Sequence, residues 1–437
     1  MKISISGVRG IYGDQDLNSI EVIKFARAFS TQVKSGRCTV ARDTRPSSRI
    51  ISEVVCSTLM SNGIDVYDLG IAPTPAAFRE ARTTGAAIIV TASHNPLEWN
   101  GLKFVIKGRG LFEPELEAML QTISAEREPG RFGRWFPSAS TYVEDIAALT
   151  LSDGKNSFGA GVDCGGGAAC GYAEGLFKKI AKRQVSVNGI PGISSRGPDP
   201  TVDDLADLRS AVTSNKLDLG FALDLDGDRL VVVSGDGQKL NSDATLLLSV
   251  ARSLEMGMKK IATSIDTSIA IEKYVKNHGG TISHSKVGEA NVVSKMLEVD
   301  ADAGGEGSSA GFIMPGFNMC RDGLLAAATI STLDKKSFNE VLEFSSQFSQ
   351  IRSKIPADSS LHARVIEKLP SVFGKDATEV LTIDGVKAIV DDSSWILVRP
   401  SNTEHAIRVS VESVASRTPA LYKKASESVM KVYDQVK

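Results

Sequence analysis

The sequence is poor in the features that mark membrane, secreted and nucleic-acid-binding chains. No apolar run approaches the roughly 20 residues of a membrane span, and the opening residues, MKISISGVRG, lack the apolar stretch of a secretory leader. Cysteine is scarce: Cys38, Cys56, Cys164, Cys170 and Cys320 are odd in number and form no C-x-x-C pair. That excludes a disulfide or zinc framework and suggests reduced, partly buried thiols of a cytoplasmic protein. Neither sign of charge dominates, with 50 Lys and Arg against 52 Asp and Glu and a formal net charge of −2. There is no basic surplus for nucleic acid or an anionic membrane surface. Low-complexity tracts and coiled-coil heptads are also missing, so the linkers are expected to be short. A cytoplasmic monomer or homodimer acting on small molecules is the expectation.

What is present is a long chain of ordinary globular composition. Its 437 residues are 42% hydrophobic and 23% charged, enough for three or four domains at about 100–200 residues each. One pattern recurs three times. CTVARD (38–43), FGAGVD (158–163) and KIATSID (260–266) are β-type runs ending at Asp43, Asp163 and Asp266, each followed by a helix-type segment and a second β-type run. The repeats are a domain apart, which predicts three similar α/β units in tandem. From about residue 355 the chain becomes mostly β-type, with an Asp384–Gly385 turn and a closing helix, as in a smaller α+β domain. The expected division is 1–150, 151–250, 251–354 and 355–437.

Three segments carry chemistry. In the first, a buried-type strand, AAIIV, delivers Thr91-Ala92-Ser93-His94-Asn95-Pro96 at its C-terminal end, where α/β folds place ligands. Pro96 keeps Asn95 out of helix, so a turn that holds Ser93 in the open is expected, as covalent serine catalysis requires. It is not a G-x-S-x-G elbow, and a capping serine in an Asn-Pro turn is the alternative. In the second, Asp224, Asp226 and Asp228 alternate between two apolar runs and precede Arg229. Clustered acids repel one another unless a cation compensates, and hard cations such as Mg²⁺ take carboxylate oxygens. An EF-hand is excluded by Arg229 at its sixth position and Gly235 at its twelfth, and Asp228 stands where a D-x-D-G-T phosphatase has threonine. The alternative is an Asp-Gly hairpin with solvated acids. The third is Arg399-Pro400-Ser401-Asn402-Thr403-Glu404-His405-Ala406-Ile407-Arg408, whose arginines, hydroxyls and amide suit a phosphate or, alternatively, a polar β-turn.

Together and in this order, the three segments resemble the α-D-phosphohexomutases: phosphoglucomutase, phosphomannomutase and phosphoglucosamine mutase. The family's T-A-S-H-N-P is intact at 91–96, its D-x-D-x-D-R matches Asp224 to Arg229, and its R-P-S-[GN]-T-E matches 399–404. Its G-E-x-S sugar loop matches Gly305-Glu306-Gly307-Ser308, its S-G-x-R-G matches 6–10, and its N-G-x-K matches Asn100 to Lys103. Lys286 to Val293, KVGEANVV, is similar to the archaeal, phosphoglucosamine-mutase-like branch. One departure is that many members continue the sugar loop as S-G-H, where this chain has Ala310.

The resemblance implies four domains around a central cleft, three α/β with mixed sheets and one α+β. It also implies interconversion of hexose 6- and 1-phosphates through a phosphoserine at Ser93 and a bisphosphate intermediate. One Mg²⁺ per chain would be held by Asp224, Asp226, Asp228 and a phosphoserine oxygen. Arg9, Lys103 and Arg229 would crowd the same spot; such crowding lowers a lysine pKa and makes Lys103 the candidate general base or acid. His94 would position the serine loop. Glu306 and Ser308 would take sugar hydroxyls, while Arg399, Ser401, Asn402, Thr403 and Arg408 hold the phosphate that is not reacting. Glucosamine phosphate is the expected substrate, with Ala310 opening room near carbon 2; mannose and glucose phosphates are the alternatives. Three other classes remain: a phosphatase-like hydrolase, a catalytically silent sugar-phosphate binding protein, and a dinucleotide-dependent oxidoreductase suggested by Gly165 to Gly171. In the last, Cys170 stands where the third glycine of G-x-G-x-x-G belongs.

Overall fold

The computed structural model describes residues 1–13, 16–123, 130–151, 158–401 and 405–437. Its four sheets follow one another along the chain. In the first, Asp65–Ile71, Arg37–Arg42, Ala86–Val90 and Trp99–Ile106 lie side by side, with two parallel pairings followed by one antiparallel pairing. The second sheet repeats that order with Arg183–Val187, Gly159–Asp163, Leu219–Leu223 and Leu230–Ser234. The third does so with Thr281–Ser285, Lys260–Ser264, Ala303–Glu306 and Gly311–Ile313. These are three copies of one mixed-sheet α/β unit, as the strand-Asp-helix-strand repeat predicts.

The recurring aspartates close the turns after the first strand of each copy. Asp43 accepts from the Arg45 backbone N–H at 3.0 Å, Asp163 from that of Gly165 at 2.8 Å, and Asp266 from the Ser264 hydroxyl at 2.7 Å. Strands such as Ala86–Val90 and Leu219–Leu223 are buried along their whole length because helices cover both faces, which is why they are continuously apolar rather than alternating.

The fourth sheet is antiparallel throughout, in the order Phe348–Pro356, Ala406–Val414, Ser394–Pro400, Val386–Asp391 and Glu379–Leu381. The closing helix Thr418–Val436 packs against it, as does a helix at His362–Phe373 that the β-type reading of this stretch does not include. The first sheet gains further strands at its edges, among them Gly7–Ile11, which pairs with Trp99–Ile106.

The second and third copies share one apolar core. It runs from Phe177 and Phe221 through Leu246 and Leu247, on the helix Ser242–Glu255, to Ile261, Phe312 and Leu325. The first and fourth units have cores of their own. All five cysteines are buried and unpaired. Among the described residues, no helix is long and apolar enough to cross a membrane.

Candidate active site

In each α/β copy the antiparallel hairpin leaves its third strand at the C-terminal end, and the serine, acidic and sugar-loop motifs fall there, whereas Arg399 and Arg408 of the third chemical segment belong to paired strands of the fourth sheet. The Val90-to-Trp99 connection carries Ser93, the Leu223-to-Leu230 connection carries the three aspartates, and the Glu306-to-Gly311 connection carries the sugar-loop match. The repeat therefore delivers three chemically different loops from equivalent places.

The serine loop is held by a residue that motif reading misses. Arg45 is buried and paired with Asp43 at 3.0 Å, and its guanidinium donates to the carbonyls of Ser93 (2.5 Å), Asn95 (2.7 Å) and Trp99 (3.0 Å), and also of Pro96. The only hint in the sequence is its place two residues after the recurring Asp43. The loop forms a turn, with Ser93 at a left-handed φ of 53° and its N–H on Thr91 Oγ1 at 2.9 Å. Ser93 is not in the open, however; it is 0% exposed. The acidic loop of the second unit closes over it, placing Asp224 Oδ2 3.2 Å from its hydroxyl oxygen, while His94 Nδ1 of its own loop lies 3.4 Å away.

The acids are equally enclosed, which rules out a hairpin of solvated carboxylates. Asp224 Oδ1 ties its own turn together by accepting from the N–H groups of Asp228 (3.0 Å) and Arg229 (3.1 Å). Gly227 takes φ +74° where a Cβ would meet Pro73 at 3.0 Å. Asp226 Oδ2 accepts from Thr74 Oγ1 (2.6 Å) and Lys103 Nζ (2.7 Å), and Asp228 Oδ2 from Lys103 Nζ (2.9 Å) and Arg321 (2.8 Å). Their other oxygens, Asp226 Oδ1 and Asp228 Oδ1, are buried without a hydrogen-bond partner. One oxygen from each of the three aspartates lies within 4.8 Å of the others. Orphaned buried carboxylate oxygens at that spacing fit a hard divalent cation. Burial, together with Asp226 and Asp228, raises the Asp224 carboxyl well above the ordinary range.

Arg9 and Lys103 come from paired strands. Arg9 faces Gly101 across the ladder, and Lys103, two residues on, shares its face. Two glycines permit this approach, since a Cβ on Gly7 or Gly101 would lie 2.1 Å from a backbone oxygen of the other strand. The expected fall in the Lys103 pKa does not occur. Burial lowers it, but Asp226 and Asp228 outweigh burial and leave the ammonium more firmly protonated than an ordinary lysine. The neighbouring carboxylates, rather than the neighbouring cations, dominate. His94 moves the other way: burial and then Arg229 lower its pKa to about 3, so the imidazole is neutral at physiological pH. Arg229 lies 2.8 Å from His94 Nδ1 and 3.2 Å from Asp199.

In the third unit, Glu306 is buried, with Oε1 accepting from the Gly288 N–H at 2.7 Å and Oε2 facing Arg321 at 3.3 Å. Ser308 lines a cleft of about 180 Å³ together with Arg352, Lys354, Arg399 and Arg408. Arg408 is the cross-strand partner of both Arg399 and Lys354. Like charges directly opposite one another on a sheet are destabilising; Asp384 pairs with Arg399 at 2.7 Å. Ser401 is buried with its hydroxyl unpartnered, and Asn402 and Thr403 lie outside the described residues. Ala310 does not open room beside the sugar: it sits at φ 52° and packs with Leu205, Leu208 and Val231. Arg352, Lys354 and Arg321 have no counterpart among the motifs. The Gly165–Gly171 loop is no nucleotide cradle, because a Cβ on Gly166 or Gly167 would lie 2.5 Å from the backbone oxygen of Ile193 or Leu225.

Comparison with known proteins agrees along the whole chain. Four family models, all described as phosphoglucomutase/phosphomannomutase, match it: alpha/beta/alpha domain I over residues 1–130, domain II over 140–237, domain III over 241–349, and the C-terminal domain over 351–423. A protein named probable phosphoglucosamine mutase from Pyrococcus abyssi is 30% identical over 97% of this chain and 96% of its own length. Another of that name, from Methanothermobacter thermautotrophicus, is 31% identical over 93% and 92%. A solved phosphoglucomutase/phosphomannomutase family protein from Burkholderia thailandensis has the same fold, with a TM-score of 0.84 at 24% identity over 100% of this chain and 98% of the other.

Proposed function

The chain belongs to the phosphoglucomutase/phosphomannomutase family and is a phosphohexomutase, and from that premise we propose that Ser93 is its phosphoryl carrier and glucosamine phosphate its preferred substrate. The observation that carries the site assignment is the 3.2 Å approach of the Ser93 hydroxyl to Asp224 in a buried triad with two orphaned oxygens.

A free hydroxyl of the sugar phosphate attacks the phosphorus of phosphorylated Ser93. The Ser93 Oγ–P bond breaks, the attacking hydroxyl gives up its proton, and the serine oxygen takes one up, so that the transfer balances overall. The bisphosphate then turns end for end, and Ser93 recovers the other phosphoryl group by the reverse step. Such transfer passes through a loose transition state, so catalysis is mainly positioning and charge stabilisation. Arg9, Lys103 and Arg229 supply fixed positive charge. The firmly protonated Lys103 suits donation to the departing serine oxygen; service as a base requires its release from both carboxylates. Asp224, Asp226 and Asp228 would hold one Mg²⁺, which neutralises phosphoryl charge when bound. Glu306 and Ser308 take sugar hydroxyls, and the row of Arg399, Arg408 and Lys354, with Ser401, takes the distal phosphate.

The full-length relatives cited above, which are named for it, support the amino sugar. The test is ³¹P NMR of the protein with Mg²⁺ and hexose 6-phosphates. Appearance of the 1-phosphate is expected, whereas inorganic phosphate as the sole product would replace the mutase with a hydrolase.

A further inference from the structure

Arg321 joins the two halves of this site, and no motif assigns it. It lies between the hairpin strand Gly311–Ile313 and the helix Gly323–Ile330, and it is 9% exposed. Its guanidinium reaches three carboxylates in three directions: Asp228 at 2.8 Å through one terminal nitrogen, Glu306 at 3.3 Å through the other, and Glu289 at 3.2 Å through Nε. Its own backbone N–H also donates to Glu289 Oε2 at 3.0 Å, which pins the plane of the fork. Room for the side chain comes from Gly311, where a Cβ would stand 2.2 Å from Arg321 Cδ, and Gly311 is the cross-strand partner of Glu306.

We propose that Arg321 is a positioning residue that sets the sugar-recognising carboxylate of Glu306 and the cation-facing oxygen of Asp228 at a fixed separation. This inference rests on the mutase reading above. By occupying Asp228 Oδ2 together with Lys103, it leaves Oδ1 as the free oxygen of that carboxylate. By occupying Glu306 Oε2, opposite the Gly288 N–H on Oε1, it fixes the carboxylate that meets the sugar. One rigid fork therefore relates the place of the phosphoryl group to the place of the accepting hydroxyl, and in-line transfer is sensitive to that relation. A lysine keeps the charge but has no planar fork and cannot reproduce three divergent contacts.

The experiment compares wild type, Arg321→Lys, Glu306→Gln and the double variant. Its readouts are kcat and KM for the hexose 6-phosphate turned over best, and the Mg²⁺-dependent rise in Tm without substrate. Residues that orient a metal's ligands typically govern affinity or activity by about 10–100-fold. R321K is expected to raise KM by about tenfold or more and to shrink the Mg²⁺-dependent rise. Its loss in kcat/KM is expected to combine with that of E306Q as less than the product, because the two act through one contact. A lower Tm with wild-type KM and a wild-type Mg²⁺ response, or fully multiplicative losses, would make Arg321 structural and overturn the inference. If R321K does not fold, Glu289→Gln loosens the same anchor while leaving both loops intact, and wild-type KM and Mg²⁺ response there also overturn it. Absence of mutase turnover in the wild type would instead refute the functional reading.

Discussion

The Ser93 hydroxyl oxygen and Asp224 Oδ2 stand 3.2 Å apart although 131 residues separate them in the chain, and both residues are fully buried. The contact joins equivalent loops of two successive copies of the α/β unit. A serine in that position is set beside the site for a cation before any substrate arrives.

Ser93→Ala should leave the chain folded but stop phosphoryl transfer. The burial of Ser93 makes the substitution less innocent than at an exposed turn: the bond to Asp224 is lost, at about 0.5–1.5 kcal/mol. A Tm lowered by a few degrees and turnover lowered by several orders of magnitude are expected. Turnover near the wild-type rate would remove the covalent mechanism, and mass spectrometry of the wild type should find phosphate on Ser93.

Mg²⁺ should stabilise the protein as well as activate it, because it relieves repulsion among three buried carboxylates. A ligand present at 100 times its Kd adds about 2.7 kcal/mol to folding stability, visible as a higher Tm. Asp226→Ala should abolish both this rise and turnover, and excess chelator should silence the wild type reversibly. Full activity in chelator would contradict the assignment of the triad.

Sugar preference is decided by kcat/KM for the 6-phosphates of glucosamine, glucose and mannose. Glucosamine phosphate is expected to equal or exceed the others. A value tenfold below that for mannose phosphate, about 1.4 kcal/mol at the transition state, would reverse the preference while leaving the mutase in place.

Glu412 should give the fold a pH dependence far from the chemistry. It accepts from Ile269 N–H at 2.7 Å and Trp395 Nε1 at 2.8 Å, and also from the Ser268 hydroxyl, linking the fourth unit to the third. Burial, and then Asp243, raise its pKa to about 7. The folded state therefore holds this proton more tightly than the unfolded chain, and stability falls as pH rises from the ordinary glutamate range of about 4.5 through about 7, by up to about 3 kcal/mol. Glu412→Gln should flatten the Tm profile across that window. An unchanged slope would place the titration elsewhere.

The threefold repeat was legible because each copy restates strand, aspartate turn, helix and strand in its own residues. The loops that carry Ser93, the aspartates and Glu306 were legible because their residue types are chemical before they are structural. What escaped were arginines whose meaning depends on distant carbonyls and carboxylates. Arg45 acts on a loop about fifty residues away, and Arg321 on Asp228 and Glu306 from outside both motifs. The Lys103 pKa departs from expectation for a related reason. The family resemblance implies a place among cations, whereas the fold sets its ammonium between two carboxylates. Ala310 likewise turned away from the cleft, because a left-handed turn sends its methyl group into the second unit's apolar cluster.

The shared core of the second and third copies bears on how the enzyme comes apart. Phe221 and Phe312 belong to one apolar body, so neither sheet can open without exposing the other, and the two should melt as a single cooperative unit. The acidic loop and the sugar loop then survive or fail together. The fourth sheet, with its separate core around Val398 and Val409, can loosen first. Mild denaturation that loosens the fourth unit should therefore cost the enzyme its hold on the distal phosphate while the acidic loop and the sugar loop stay in place.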